Sequence, residues 1–220
     1  MFTFLTVSCK FEFWQGLANF NSTFIFMHEA LFQYIEAKSE QKLTAEEQQL
    51  IRSKFQPKRL RKRQYFLQEG DVCKYVAFIV KGSSRMFSVD DNRHEHIVRF
   101  GLESWWLQDP ESFISLTPSR YNIEMLEDSE LLVISVADAY ELRDKSRIFD
   151  LTIKAMDRQL SSATQKRIHT AISMTAEERY EELTNTYPQF LQRFPQSMIA
   201  SYLGLSPETL SRIRKNSMSK

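Results

Sequence analysis

The chain has 220 residues, 42% of them hydrophobic, and 29 Lys and Arg side chains nearly balance 28 Asp and Glu to leave a net charge of +1. That composition suits one medium globular domain plus a small one and excludes collagen-like, low-complexity and highly charged disordered chains. Two cysteines, Cys9 and Cys73, lie far apart in no metal-like spacing, which argues against a disulfide framework, a zinc site or an iron–sulfur cluster and points to a reducing cytoplasm.

Residues 1–26 are rich in aromatics but broken by Lys10, Glu12 and Asn19. They lack the basic leader and small-residue cleavage site of a signal peptide, and no apolar run in the chain approaches the ~18 residues of a membrane span. The segment reads as an upstream extension, with Met27 the better start. From there Leu31, Phe32 and Ile35, then Leu43, Leu50, Ile51 and Phe55, keep helical spacing, and Thr44 with Glu47 has the capping-box separation.

Between Gln56 and about Val136 the texture changes to short β-branched and aromatic runs separated by turn residues. The run Lys58-Arg59-Leu60-Arg61-Lys62-Arg63 reads as a solvated turn before a strand, with a second phosphate contact as the alternative. Strands are predicted over 63–67, 75–80, 84–89, 95–100, 121–126 and 130–136, at the spacing of an antiparallel β-roll or jelly roll. A short helix over 137–145 and a long one over 147–174 follow. In the long helix Phe149, Ile153, Met156, Leu160 and Ala163 alternate steps of four and three, a narrow seam suited to pairing two copies of the chain. Thr175 and Glu178 then cap a helix that carries Tyr180, Leu183 and Leu191 toward Phe194 and Pro195.

The last segment says most about function. With Gln196 as the first position of a twenty-residue unit, apolar residues fall at the fourth, eighth, tenth, fifteenth and eighteenth positions: Ile199, Leu203, Leu205, Leu210 and Ile213. Ala200 lets two short helices approach, and Gly204 supplies the positive φ of a sharp exit. Ser206, Pro207 and Glu208 announce the second helix as cap, first-turn proline and dipole-matched acid. A plain helical hairpin has no use for particular polar residues outside. Here Glu208, Thr209, Ser211, Arg212 and Lys215 point away from Leu210 and Ile213, with Arg214 adding charge and Ser197 standing at the start of the first helix. Glutamate suits cytosine, arginine suits guanine, and the unit therefore reads as a DNA-binding helix-turn-helix. The last fourteen residues hold Arg212, Arg214, Lys215 and Lys220 against one acid, Glu208, so the local charge favours phosphates despite the neutral total.

Over residues 30 to 215 the order of β-roll, long helix and helix-turn-helix resembles the Crp/Fnr family of bacterial transcription regulators. Ser201 to Arg212 (Ser-Tyr-Leu-Gly-Leu-Ser-Pro-Glu-Thr-Leu-Ser-Arg) is similar to the recognition segment of the Fnr branch, and Glu69-Gly70-Asp71 with Gly82 matches the turn glycines of its cyclic-nucleotide-binding fold. The resemblance implies an α+β chain of N-terminal helices, antiparallel jelly roll, dimerisation helix and DNA-binding domain. Its parts are residues 1–26 (extension), 27–145 (sensor roll), 146–174 (dimerisation helix) and 175–220 (DNA-binding domain). It implies base contacts from Glu208, Ser211 and Arg212, and three partners: double-stranded DNA, a second copy of the chain, and RNA polymerase. Family members continue past the recognition helix into a strand, whereas five residues follow Lys215, so reading is expected to depend on the dimer.

Two signatures depart from the family. The glycine and glutamate that hold a cyclic nucleotide's phosphate and ribose are replaced in Trp105-Trp106-Leu107-Gln108-Asp109-Pro110-Glu111, and Tyr121 stands where a small hydroxyl residue follows the arginine, here Arg120. Cyclic AMP is therefore not the expected effector and no cofactor is expected. An unidentified small molecule near Arg120, Tyr121 and Trp106 stays open, as does a core role for the tryptophans. The Fnr branch's cysteine cluster is absent too. His94 and His96 share a strand face, but Glu103 is too distant and His28 and His169 lie outside the roll, which leaves a cupin-type metal site incomplete and an enzyme disfavoured. The competing function is a ligand-binding or protein-interaction module whose last helices do not touch DNA.

Overall fold

The computed structural model describes residues 26–217, so the extension over 1–25, with Cys9, lies outside the described residues, as does Lys220. Residues 26–39 form helix α1, followed by α2 (Ala45–Lys54). The capping box is formed: the Glu47 amide donates to Thr44 Oγ1 at 3.2 Å and the Thr44 amide to Glu47 Oε2 at 3.0 Å, satisfying two amides that helix geometry leaves unpaired.

The roll comprises β1 (Gln56–Leu60), β2 (Tyr65–Leu67), β3 (Tyr75–Lys81), β4 (Ser84–Val89), β5 (Glu95–Gly101), β6 (Trp106–Leu107), β7 (Asn122–Met125) and β8 (Ser129–Ser135). They make two antiparallel sheets, ordered β1-β8-β3-β6 and β2-β7-β4-β5. Side chains alternate across each strand. Ala77, Ile79, Leu107 and Leu131 face Leu67, Met86, Ile123 and Met125 between the sheets, while Val76, Phe78, Leu132 and Ile134 turn outward beneath α1 and α2. Gly82, at φ +107, lies so near Ser129 that a Cβ would sit 2.1 Å from its Oγ, which excludes a side chain in that turn.

Two strands escaped the sequence reading. The run Lys58–Arg63 reads from sequence as a solvated turn before a strand; Arg61 to Arg63 do form that turn, but Lys58 to Leu60 belong to β1, whose five residues all pair with β8. β6 is two residues long, too short for a periodic signal.

Beyond the roll come α3 (Pro110–Ser115), α4 (Val136–Lys145) and the 27-residue α5 (Arg147–Ser173), then α6 (Ala176–Thr186), α7 (Phe190–Arg193), α8 (Gln196–Leu203) and α9 (Pro207–Ser217). The helix expected to carry Tyr180 through Leu191 is two helices, because the chain leaves the helical region at Tyr187 (ψ 64) ahead of Pro188, as residues before proline tend to do. The α5 seam also divides. Phe149 is 1% exposed and Ile153 packs on the same core as α1, so both serve the chain's own interior. Further along, Ile168 and Ile172 are 55% and 81% exposed.

The second sheet's outer face carries the helix-turn-helix. Met86 pairs with Arg99 and Phe87 with Ile97, leaving a bulge at Val98, which lets Ile97 and Phe100 face the same way. They join Phe87, Leu102, Phe190, Phe194, Ile199 and Leu203 in one cluster. Phe100 stacks on Phe194 with centroids 4.0 Å apart and meets Phe190 edge-on at 5.2 Å. Ser201 of α8 closes the free edge of β5: its Oγ accepts from the Ile97 amide at 3.0 Å and donates to the Glu95 carbonyl at 2.9 Å. Arg193 reaches Glu103 at 2.8 Å and Glu127 at 2.7 Å.

Phe100→Ala should cost about 3 to 5 kcal/mol, the range for truncating a buried phenylalanine, read as a lower urea midpoint; a loss under about 1 kcal/mol would show that the cluster does not join the two parts. Burial is the largest influence on Glu103 and opposes its ionisation, but the hydrogen bonds and charge of Arg193 together with the Glu103 and Gly82 amides outweigh it and leave the pKa lowered; Glu127 is lowered first by its bonds to Arg193. Both folded values thus lie below the unfolded ~4.3, so their contribution is complete above that pH and fades as pH falls through the lowered values. Fluorescence of Trp105, which packs on Tyr187 and Phe190, should stay constant from pH 8 to 5 and change only in stronger acid; a transition near neutrality would contradict this.

Candidate nucleic-acid interface

Helix α8 begins at Gln196, the first position of the twenty-residue unit, and stops at Gly204, whose φ of +67 is the left-handed exit its lack of a side chain permits. The Leu205 amide bonds back to the Ala200 carbonyl at 2.9 Å, and Arg179 Nη1 takes the Leu203 carbonyl at 2.8 Å. Helix α9 starts with Ser206 accepting from the Thr209 amide at 3.2 Å. Ile199 and Ala200 are wholly buried, and Leu210 and Ile213 are each 1% exposed, so the apolar spacing fixes which side of α9 faces in.

The remaining side of α9 faces water. Glu208, Ser211, Arg212 and Lys215 are exposed and Thr209 is half-buried. The first four, with Pro207, line one shallow groove along the helix. The Glu208 carboxyl is held below its ordinary value by its own backbone amide and the Ser206 hydroxyl, so at neutral pH it is charged and can only accept hydrogen bonds. Arg212 and Lys215 stand one and two turns further on, supplying a forked donor and a point charge. Ser197 is exposed at the start of α8, where helix amides lack partners and suit phosphate. Arg214 differs: it is half-buried, and its buried Nε has no hydrogen-bond partner among the described residues.

The side chains that hold the unit in place had no sequence signal. Arg179, Arg193 and Ser201 bond to partners 24, 66 to 90 and 104 to 106 residues away, separations at which no local spacing rule operates. Arg167 of α5 belongs with them, donating to the Ile97 and Tyr202 carbonyls at 3.2 Å with its guanidinium 4.2 Å from the Tyr202 ring.

The three residues singled out for an effector lie in different surroundings. Arg120 is exposed and paired with Glu111 at 3.1 Å. Tyr121 packs against the inter-sheet core of Leu67 and Cys73, whereas Trp106 lies among Tyr34, Phe55 and Phe78 on the helix-covered side. The intervening loop satisfies its own polar groups. Asp109, 3% exposed, accepts from the Glu111 amide at 3.1 Å and the Ser119 hydroxyl at 2.7 Å. Ser112 accepts from the Cys73 amide at 2.9 Å and donates to the Thr117 carbonyl at 2.5 Å.

His94 and His96 converge on one carboxylate oxygen of Asp90, at 3.4 and 3.0 Å. The His96 bond, followed by the His94 amide, lowers the Asp90 carboxyl to about 2. The trio braces the β4–β5 turn, and among the described residues no group of three or more His, Cys, Asp or Glu is placed to hold a metal ion. No described helix is long and apolar enough to cross a membrane.

Residues 57–146 match the family model of the cyclic nucleotide-binding domain. No curated protein matches the sequence significantly. Solved structures match over most of the chain. FixK2 from Bradyrhizobium japonicum has 18% identity and a TM-score of 0.63, covering 75% of this chain and 85% of its own. The c-di-GMP-responsive global regulator CLP of Xanthomonas campestris has 15% identity and a TM-score of 0.62, over 80% and 92%. A transcriptional regulator assigned to the Crp/Fnr family from Eubacterium rectale has 15% identity and a TM-score of 0.57, over 80% and 84%. Residues 57–146 thus resemble the cyclic nucleotide-binding domain, and the chain shares the fold of these solved transcription regulators.

Proposed function

We propose that the chain is a transcription regulator that binds a palindromic DNA site as a homodimer, with α9 as its recognition helix. The observation that carries this reading is the polar face of α9: Glu208, Ser211, Arg212 and Lys215 exposed on one groove, opposite a fully packed Leu210 and Ile213. Arg212 donates to guanine, Glu208 accepts from cytosine or orders its neighbours, Ser211 touches a base edge, and Lys215 and Ser197 meet phosphates. The matched regulators support the reading, and no reaction is ascribed to the chain.

Pairing falls to α5, about 40 Å long by its 27 residues. With Phe149 and Ile153 used internally, the partner-facing surface runs from Leu160 through Thr164 to the exposed Ile168 and Ile172. Two copies then present two α9 helices about one turn of DNA apart.

The roll does not take cyclic AMP in this reading. The Asp109 carboxylate sits at the α3 N-terminus, where a ligand phosphate would meet repulsion rather than free amides, and Arg120 is engaged with Glu111. RNA polymerase remains the partner that the regulator reading implies.

On a sequence selected from a random duplex pool, Arg212→Ala should lose about 1 to 3 kcal/mol and blur one base preference, whereas Lys215→Ala should weaken all sequences alike. Equal losses for Arg212→Ala on selected and random DNA in a gel-shift series would remove its base-reading role, and affinity indifferent to salt would favour an apolar protein partner instead. The double variant Ile168→Asp, Ile172→Asp should sediment as a monomer with an unchanged thermal melt and weaker DNA binding; a dimer of undiminished affinity would place the interface elsewhere.

A further inference from the structure

We infer that Arg167 is a positioning residue that sets the spacing between the two half-sites a dimer of this chain reads at once. The inference rests on the DNA-binding homodimer proposed above and deepens it, from which bases α9 meets to how far apart two α9 helices are held.

The two halves of α5 are held differently. The proximal half is sunk in the core through Phe149 and Thr152, at 1% and 0% exposure, whereas from Ser161 to Ser173 every residue is exposed except the half-buried Arg167 and Thr170. The Arg167 guanidinium is the group that ties this distal half down. Its Nη2 donates to the Ile97 carbonyl on the edge of β5 and to the Tyr202 carbonyl in the last turn of α8, each at 3.2 Å, and it lies 4.2 Å from the centre of the Tyr202 ring. That ring packs in turn on Phe100 at 5.3 Å and Phe190 at 6.2 Å. The last carbonyls of a helix lack partners within it and suit cations. Here Arg167 takes one of them from α5 and Arg179 takes the next, Leu203, from α6 at 2.8 Å. A second tie from distal α5, the ion pair of Lys166 with Glu182, joins two side chains at the surface and grips no backbone group, and such pairs restrain little.

Position gives that grip its consequence. Arg167 and Ile168 are successive residues, about 100° apart around the helix. Arg167 turns toward its own β5 and α8, while Ile168, 55% exposed, belongs to the surface assigned to pairing. One turn of α5 therefore carries both the partner contact and the hold on the helix-turn-helix, so the offset from the dimer axis to each α9 passes through this guanidinium. On B-DNA one inserted base pair moves the second half-site by about 3.4 Å and turns it by about 35°, a change that a rigid junction rejects and a loose one absorbs. Arginine suits the junction because its planar fork serves two carbonyls and stacks on a ring together, whereas lysine brings a point charge on a flexible stem.

The test uses the full chain and duplexes that carry two copies of the pool-selected half-site, at the selected spacing or a few base pairs closer or farther. Wild type should favour one spacing and lose most of the ~10²- to 10⁴-fold gain of two-site binding when that spacing changes by a single base pair. Arg167→Gln and Arg167→Lys should both sediment as dimers, bind a lone half-site as wild type does and keep its base preferences. They should nevertheless hold the two-site gain across neighbouring spacings, so that adjacent spacings bind nearly alike. Should the glutamine variant not fold, judged by its thermal melt, the lysine variant decides alone. Lys166→Ala, which removes only the pair with Glu182, should keep the wild-type choice; a relaxed choice there as well would make the effect a general loosening of α5 and overturn the assignment to Arg167. If the Arg167 variants keep the wild-type spacing, or no longer dimerise, or if wild type binds paired half-sites alike at every spacing, this inference falls and the recognition helix stands. If wild type recovers no sequence from the pool, the DNA reading itself falls and this role with it.

Discussion

The open edge of β5 is the constraint from which the arrangement of the molecule follows. In the order β2-β7-β4-β5 this strand is terminal, and an uncovered edge offers unpaired amides and carbonyls to any passing strand. A side chain and a helix cover it instead. Ser201 bonds both ways to the Glu95 carbonyl and Ile97 amide, and Arg167 takes the Ile97 carbonyl while reaching Tyr202. One short stretch of strand thus fixes the long helix and the first helix of the helix-turn-helix together. Because Leu210 and Ile213 must then be buried beside Ile199 and Leu203, the polar face of α9 has one direction left, outward.

The contact is built from two kinds of interaction with different ranges. The aromatic cluster around Phe100 and Phe194 is short-range and shape-dependent, so it sets the docking angle. The Arg193 pairs with Glu103 and Glu127 are partly exposed, and such pairs contribute little individually. They bridge from α7 to two separate loops of the roll and act chiefly by fixing register. A perturbation of β5 therefore reaches α8 by two routes, the stacked rings and the bonds of Ser201 to Glu95 and Ile97.

Much of this was legible in the sequence where the determinant is local. Caps at Thr44, Thr175 and Ser206, the glycine exit at Gly204 and the apolar spacing from Ile199 to Ile213 each depend on neighbours within about one turn, and each took the expected form. Six strands were visible for the same reason. β1 was not, because Gln56, Lys58 and Arg59 are exposed and the segment owes its extended state to pairing with β8. The heptad reading of α5 found real apolar positions but could not say which body covers them, and the core shared by α1, α2 and the roll covers the first two. Trp106 was ambiguous on the same ground: aromatic residues of a pocket wall and of a core have the same spacing, and its neighbours come from three separate elements.

The distribution of charge ties these points together. A balanced total keeps the roll free of a general attraction to nucleic acid, so attraction depends on where cations are left unpaired. Arg85, 8% exposed, is held by Glu124 and Glu95, Lys54 by Asp138 and Glu141, Lys166 by Glu182, and Arg193 by its two carboxylates. These pairings consume basic groups across the roll and the helices alike. At Arg212, and in the turn from Arg61 to Arg63, no described acid stands within ion-pair distance. Screening at physiological salt confines an exposed charge's influence to about 8 Å, so each such position acts only on its own surroundings.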